Sequence, residues 1–394
     1  MGRKKRLLTG RGRSRFRRKK YYPFAVLGII LALAAAVVLL AVYVVIPLAG
    51  EWFKQEEDSL QASQQIVAIP TPTPQPPGPT INLQAQAKEA VLNARNIFSA
   101  YLFENELVFS TGRDEGGNAK MYWIYIYDTD ANAEEKQIKE IVLKNDDLLE
   151  PQISRDYIVY TDATRGSGGT ICVYHRDNGQ IDEVKTVTGS LPQVRFAGDY
   201  LAWTERTGSN QDKLYLYDIK SGVSVTIDVF DNSIYGQSAP GLSEQDIVWA
   251  SKDLAQTDGA EPISVIFSYR FDEETPELKS YMPDMYVHDP MTNGRAVIWL
   301  NSNHAPDAEL YVSIEGGPPR KIAEHIEAYG IGDTFAAFTV DQVIYVYYFD
   351  TGEIKRLSPD NERCILSSVS GDSVVWFQIF EGSDRDIIKY SKVG

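Results

Sequence analysis

Gly198-Asp199-Tyr200-Leu201-Ala202-Trp203-Thr204 opens a stretch, running on to Ile227, whose reading decides the fold. Gly198-Asp199 is a turn and Tyr200 to Thr204 a short apolar strand; after a polar loop, Leu214-Tyr215-Leu216-Tyr217-Asp218 is a second strand. Lys220-Ser221-Gly222 then turns the chain into Val223 to Ile227. Uncharged runs of Leu and Tyr this short, bounded by Gly and Asp, suit strands covered on both faces rather than an amphipathic helix.

The same phrase recurs six more times. The second-strand copies end on Phe109, Tyr160, Trp203, Trp249, Trp299, Phe338 and Trp376, at spacings of 51, 43, 46, 50, 39 and 38 residues. Five have an acidic turn just upstream, at Asp156, Asp199, Asp246, Asp333 and Asp372. Third-strand copies include Tyr125-Ile126-Tyr127-Asp128, Ile171 to Tyr174, Ile263 to Tyr269, Leu310 to Val312, Ile344 to Asp350 and Ile387 to Tyr390. A strand-only period of about 40 to 50 residues marks a β-propeller, whose blades bury their faces only by stacking on neighbours. The expectation is an all-β, seven-bladed β-propeller over residues 81–394, with six blades as the alternative count.

Asp350-Thr351-Gly352-Glu353-Ile354-Lys355-Arg356-Leu357-Ser358, together with Asp218 to Gly222 and Ser370-Gly371-Asp372-Ser373-Val374-Val375-Trp376, resembles the repeats of TolB-like propellers over about three quarters of the chain. The resemblance implies the propeller fold and leaves function open, because such blades are grafted onto transport factors, peptidases and lyases alike.

Charge divides the chain more sharply than the net value of −15 suggests. Residues 1–50 hold eleven of the 39 Lys and Arg and no acidic residue, so 28 basic residues face all 54 acidic ones in the remainder, a balance of −26. Residues 1–23 read as a basic cytoplasmic tail. Phe24 to Ile46 is 23 residues without a charge, about 34 Å as a helix and long enough to span a bilayer. Tyr21 and Tyr22 stand on one side and Trp52 and Phe53 on the other, where interfacial aromatics belong. The positive-inside rule puts the N-terminus in the cytoplasm and the propeller outside the cell membrane as a single-pass protein. The apolar run exceeds a usual signal-peptide core, and Pro47-Leu48-Ala49 is a poor cleavage site, so the segment reads as an uncleaved anchor. The basic run then sets topology and meets anionic lipid, with no role in nucleic-acid binding. Residues 47–80 form a stalk, in which Pro70-Thr71-Pro72-Thr73-Pro74-Gln75-Pro76-Pro77-Gly78-Pro79 is an extended polyproline spacer of about 31 Å.

The seventh copy supplies three strands and stops at Gly394. A strand drawn from Glu89 to Asn93 would complete it and cover two exposed edges at once.

Chemistry is harder to place. Gly236-Gln237-Ser238-Ala239-Pro240-Gly241 only superficially resembles a nucleophile elbow, and a loop is expected there. His175, His288, His304 and His325 share no helical or metal-ligand spacing. Asp128-Thr129-Asp130 and Gly382 to Asp386 lack the full ligand series of a calcium loop. Cys172 and Cys364 belong to different copies and read as separate buried residues. No catalytic residue, cofactor or metal is assigned.

The connections between second and third strands vary most. Thr111 to Lys120, Thr161 to Gly169, Glu205 to Asp212, Lys252 to Glu261 and Asn301 to Ala308 are long and polar, whereas the sixth copy has only Val340-Asp341-Gln342. Loops on a rigid scaffold carry binding residues, so Arg113, Asp162, Glu205, Lys252, Asn301 and His304 form the candidate binding face. The functional expectation is a non-catalytic binding or scaffold module for an envelope protein or glycan. The alternative is a propeller lyase or glycosidase, which would bring two carboxylates, or a His with an Arg and a metal, together at the channel mouth.

Overall fold

The computed structural model describes residues 87–91, 97–111, 121–125, 138–141, 143–145, 147–164, 166–206, 211–231, 238–252, 264–272, 277–279, 286–302, 307–359, 361–379 and 387–393. The expected membrane span, stalk and spacer lie outside these residues. Among the described residues no helix is long and apolar enough to cross a membrane.

The strands form seven four-stranded antiparallel sheets, numbered here in chain order by the sheet they begin. Sheet 1 comprises Ile97–Phe103, Glu106–Thr111, Met121–Tyr125 and Ile138–Ile141; sheet 2 comprises Asp147–Ile153, Tyr157–Thr164, Gly168–His175 and Ile181–Thr188. Sheet 3 comprises Arg195–Ala197, Tyr200–Arg206, Gln211–Asp218 and Val223–Asp231; sheet 4, Gly241–Leu242, Asp246–Lys252, Ser264–Arg270 and Glu277–Lys279. Sheet 5 comprises His288–Thr292, Ala296–Leu300, Glu309–Ile314 and Arg320–Glu324; sheet 6, Ala328–Ile331, Phe335–Val340, Val343–Tyr348 and Ile354–Arg356. Sheet 7 takes Cys364–Ser370, Ser373–Gln378 and Ile387–Lys392 from the end of the chain and Lys88–Val91 from its beginning.

Sheets 1 to 6 run inner to outer in chain order, whereas sheet 7 takes its outer strand from the beginning of the described chain, and the hydrophobic clusters form between sheets. Seven hydrophobic clusters account for the core, and each is shared by two consecutive sheets. The cluster of Ala100, Leu102, Leu107 and Phe109 with Val375, Ile388 and Tyr390 joins sheet 1 to sheet 7 and closes the ring. The repeated aromatics sit at one place in this scheme. Trp203, Trp249, Trp299 and Trp376 are almost wholly buried in second strands. Three of them stack on the residue directly opposite in the third strand: Trp203 on Tyr215, Trp249 on Phe267 and Trp299 on Tyr311, with interplanar angles of 21°, 17° and 17°. Phe338 and Tyr345 repeat the arrangement in sheet 6. In sheet 7 the residue opposite Trp376 is instead Lys389.

That lysine belongs to the closure. Lys88–Val91 pairs antiparallel with the last strand, placing Glu89 opposite Lys389. The Lys389 ammonium is buried and lies 3.0 Å from Glu89 Oε1 and 2.6 Å from Glu362 Oε2. The expected clasp between Glu89 and Asn93 is therefore present, beginning one residue earlier.

Turns between first and second strands are linked around one face. Arg155 pairs with Glu104, Thr292 donates to Asp246, Asn293 donates to Gly332 O at 2.7 Å and Asp333 N donates to Gly371 O at 2.9 Å. The opposite face carries the turns between second and third strands. There the structure corrects the expected loop lengths. Tyr157–Thr164 continues past Thr161, and Gly168–His175 resumes before Gly169. Tyr200–Arg206 and Gln211–Asp218 likewise absorb Glu205 and Asp212. Polar residues at these ends belong to ladders whose partners are already extended.

One glycine fixes how closely two inner strands approach. A Cβ on Gly241 would lie 2.6 Å from Met291 Cα and from Pro290 O. The inner strand of sheet 4 thus fits against sheet 5 only without a side chain.

Candidate functional site

Of the six residues expected on the binding face, Asp162, Glu205 and Asn301 have described side chains, each with partners of its own. Asp162 is buried and accepts the backbone N–H groups of Lys144 at 2.8 Å and Asn145 at 3.0 Å, tying down the connection from sheet 1 to sheet 2. Glu205 lies 3.5 Å from Lys185, bridging sheet 3 to the outer strand of sheet 2. Asn301 accepts Glu309 N at 2.8 Å and donates to Glu309 Oε2 at 2.7 Å, a clip across its own hairpin. Glu309 in turn receives the Tyr311 hydroxyl and the Lys321 ammonium. Lys252 ends a strand, but its side chain lies outside the described set, as do Arg113 and His304.

The inner strands bring together residues that the sequence did not single out. A series of hydrogen bonds runs from sheet to sheet around the axis. Ser367 Oγ accepts Ala100 N at 2.8 Å and donates to Ala100 O at 3.0 Å, joining sheets 7 and 1. Gln152 Nε2 donates to Val194 O at 2.8 Å, and Arg195 Nε donates to Pro240 O at 3.3 Å. Ala239 N donates to Asp289 Oδ1 at 2.6 Å, while Asp289 N donates to Ser238 Oγ at 2.8 Å. The Tyr329 hydroxyl donates to Asp289 O at 2.6 Å. Ser238 is thus a strut between sheets 4 and 5, in keeping with the loop expected there. Asp289 has a φ of 45°, an unusual conformation for a non-glycine residue that its bonds on both sides impose.

Arg195 lies on the inner strand of sheet 3. Its charge reaches Tyr101 on the inner strand of sheet 1, Asp289 on sheet 5 and Tyr329 on sheet 6. Burial raises the Asp289 pKa, but His288, the Ala239 N–H and Arg195 outweigh it, so the carboxyl is held below its ordinary range. His288 Nδ1 lies 3.2 Å from Asp289 Oδ2. Burial pushes the Tyr329 phenol well above its usual value and also raises Tyr101, so both stay neutral. Among the described residues, no carboxylate makes an ion pair with Arg195, whose terminal nitrogen reaches only Gln193 Oε1 at 3.4 Å. Gln193 also lines a small cavity between sheets 2 and 3 with Glu150, Tyr160 and Leu191. The inner strands thus carry a guanidinium, a carboxylate and neutral phenols, groups suited to holding an anion or a hydrogen-bonding ligand.

Known proteins with solved structures share the architecture. The β-propeller domain of the trilobed protease from Pyrococcus furiosus superposes with a TM-score of 0.57 at 11% identity, covering 76% of this chain and 96% of that one. The Pyrococcus horikoshii acylaminoacyl peptidase superposes at 0.55 with 10% identity over 74% of this chain, which spans 50% of the peptidase. The fold is a β-propeller. At such identities the likeness extends to the fold alone. TolB from Acinetobacter baumannii matches at a TM-score of 0.37 and 12% identity over 74% of this chain and 81% of that one, too low to argue for a TolB-like family. No protein-family model and no curated protein matches the sequence. The archaeal protease propeller is described as having an open velcro topology; here Lys88–Val91 closes the last sheet.

Proposed function

We propose that this chain is a single-pass, membrane-anchored propeller on the extracytoplasmic side that works as a non-catalytic binding or scaffold module for an envelope protein or glycan. One observation carries the choice of binding over catalysis: the inner-strand carboxylate at Asp289 is already engaged by Ala239 N–H and lies against His288, while Arg195 has no carboxylate ion-pair partner among the described residues. A general acid or base needs an available lone pair or proton, whereas a ligand-binding cation needs an available charge. The anchor rests on the uncharged run Phe24 to Ile46 and on the segregation of charge around it.

The test uses intact spheroplasts. Added protease should cut near the proline-rich spacer and release the propeller, and crosslinking before solubilisation should capture a partner on the wild-type chain. Arg195→Ala should lose that partner while keeping its melting temperature. Protection of the propeller, or capture indifferent to Arg195, would sink the proposal. A propeller lyase or glycosidase acting on an acidic or neutral polysaccharide is the second reading, favoured by His288 and Arg195 both acting on the Asp289 carboxylate. It requires polysaccharide cleavage that disappears in His288→Ala.

A further inference from the structure

Among the described residues no strand pairs with the outer edge of any sheet, and six of the seven outer strands contain lysine. Lys88, Lys139, Lys185, Lys279, Lys321 and Lys355 occupy the outer strands of sheets 7, 1, 2, 4, 5 and 6. A lysine on an edge strand discourages another strand from adding to it. The outer strand of sheet 3, Val223–Asp231, is the exception. It reads Val-Ser-Val-Thr-Ile-Asp-Val-Phe-Asp, has no Lys or Arg, and at nine residues is the longest described strand. Val223, Val225 and Val229 are 53%, 46% and 46% exposed, among the most exposed large apolar residues of the described chain. Val223 to Thr226 holds a regular ladder with Asp218 to Tyr215 before a bulge between Leu214 and Tyr215 interrupts it. Beyond the bulge Asp228 is occupied, accepting Trp249 Nε1 at 2.9 Å and Val229 N at 2.7 Å.

An unguarded edge of β-branched residues is a template for strand addition, in which backbone hydrogen bonds supply affinity and alternate side chains supply choice. Charge selects the occupant. The only charged side chains of the strand are Asp228 and Asp231, and the chain beyond residue 50 has the acidic excess of −26 noted above. A second copy would bring the same carboxylates and the same excess against this edge. An extended segment in which Lys or Arg alternates with β-branched residues meets both the apolar surface and the field around it. We propose that the rim of sheet 3 at Val223 to Thr226 binds such a basic extended segment of a partner protein by strand addition. This surface lies at the outer rim of its sheet and is distinct from the inner-strand ring around Arg195.

The experiment takes the full chain in nanodiscs and a fluorescein-labelled heptapeptide alternating lysine or threonine with valine. Two control peptides replace its lysines by glutamate or N-methylate alternate backbone amides. Binding is read by fluorescence anisotropy. Val225→Lys, which installs the guard the other edges possess, should weaken binding at least tenfold at an unchanged melting temperature. On the wild-type chain, the glutamate and N-methylated peptides should each bind at least tenfold more weakly. The proposal is overturned if the basic peptide does not bind, if Val225→Lys binds it as well as wild type, or if either control peptide matches it. It is also overturned if the full chain sediments as a dimer that Val225→Lys dissociates, because the occupant is then a second copy.

Discussion

Lys389→Ala tests what holds the ring shut. The Lys389 side chain is 5% exposed, Glu362 16% and Glu89 52%. Removing the cation leaves Glu362 largely out of water with no ammonium opposite it, a situation that costs about 3 to 5 kcal/mol. Glu89 is half in solvent, so Glu89→Gln should cost less than about 1 kcal/mol. For a domain of about 300 residues, an unfolding entropy near 2.1 cal/mol/K per residue turns the larger loss into a melting-temperature drop of about 5 to 8 °C. Scanning calorimetry of the two variants should give that order, lysine far above glutamate. Alkaline titration adds a second check. Burial lowers the Lys389 pKa, but the bonds to Glu362 and Glu89 outweigh it and raise it overall. A cation whose folded pKa lies above its unfolded one contributes its full stabilisation below about pH 10.4 and loses it as pH climbs through the folded value. The difference between wild type and Lys389→Ala should therefore be flat across neutral pH and shrink only above that point. Equal melts for Lys389→Ala and wild type at pH 7 would refute the claim that this triad secures the clasp.

Two further outcomes follow from buried groups. Asp162→Ala removes the acceptor for two backbone N–H groups and should cost about 1 to 3 kcal/mol in urea unfolding, without altering partner capture; lost capture with an unchanged midpoint would return Asp162 to the binding face. Burial pushes the Cys172 thiol up to about 12 and the Cys364 thiol up to about 11. Both should therefore resist maleimide at pH 7.5 in the folded protein and label fully in guanidinium, as mass spectrometry would show.

Much of the architecture was legible because its signal repeats. An aromatic within each second strand faces the same interior position in every sheet, so Trp203, Trp249, Trp299 and Trp376 carry the period in the sequence itself. The missing strand of the last copy could be anticipated because three strands leave an edge. The inner strands left no such trace. Arg195–Ala197 and Gly241–Leu242 are too short to show a period, and the groups that matter on them meet partners from other repeats. Arg195 and Asp289 belong together only because the ring curves. Lys389 was visible as a lone charge in Ile387-Ile388-Lys389-Tyr390, a position that the other repeats fill with apolar residues, but its partner Glu89 is three hundred positions away in sequence. The polar strand ends at Asp162 and Glu205 carry no strand signal in the sequence, because a ladder hydrogen bond does not depend on side-chain polarity.

The pairing of Lys88 with Tyr390 also governs the order of events during synthesis. At about 5 to 20 residues per second, roughly 15 to 60 s separate the appearance of the first strand from that of its partner. Throughout that interval the segment around Glu89 has no native neighbour, while sheets 1 to 6 can assemble in sequence as they emerge. Its two charges in four residues, Lys88 and Glu89, suit a strand that must stay soluble and decline other edges while it waits. Ile387–Lys392 therefore completes the last sheet, and a ribosome that stalls before Ile387 leaves that sheet without this strand and Lys88–Val91 without its partner.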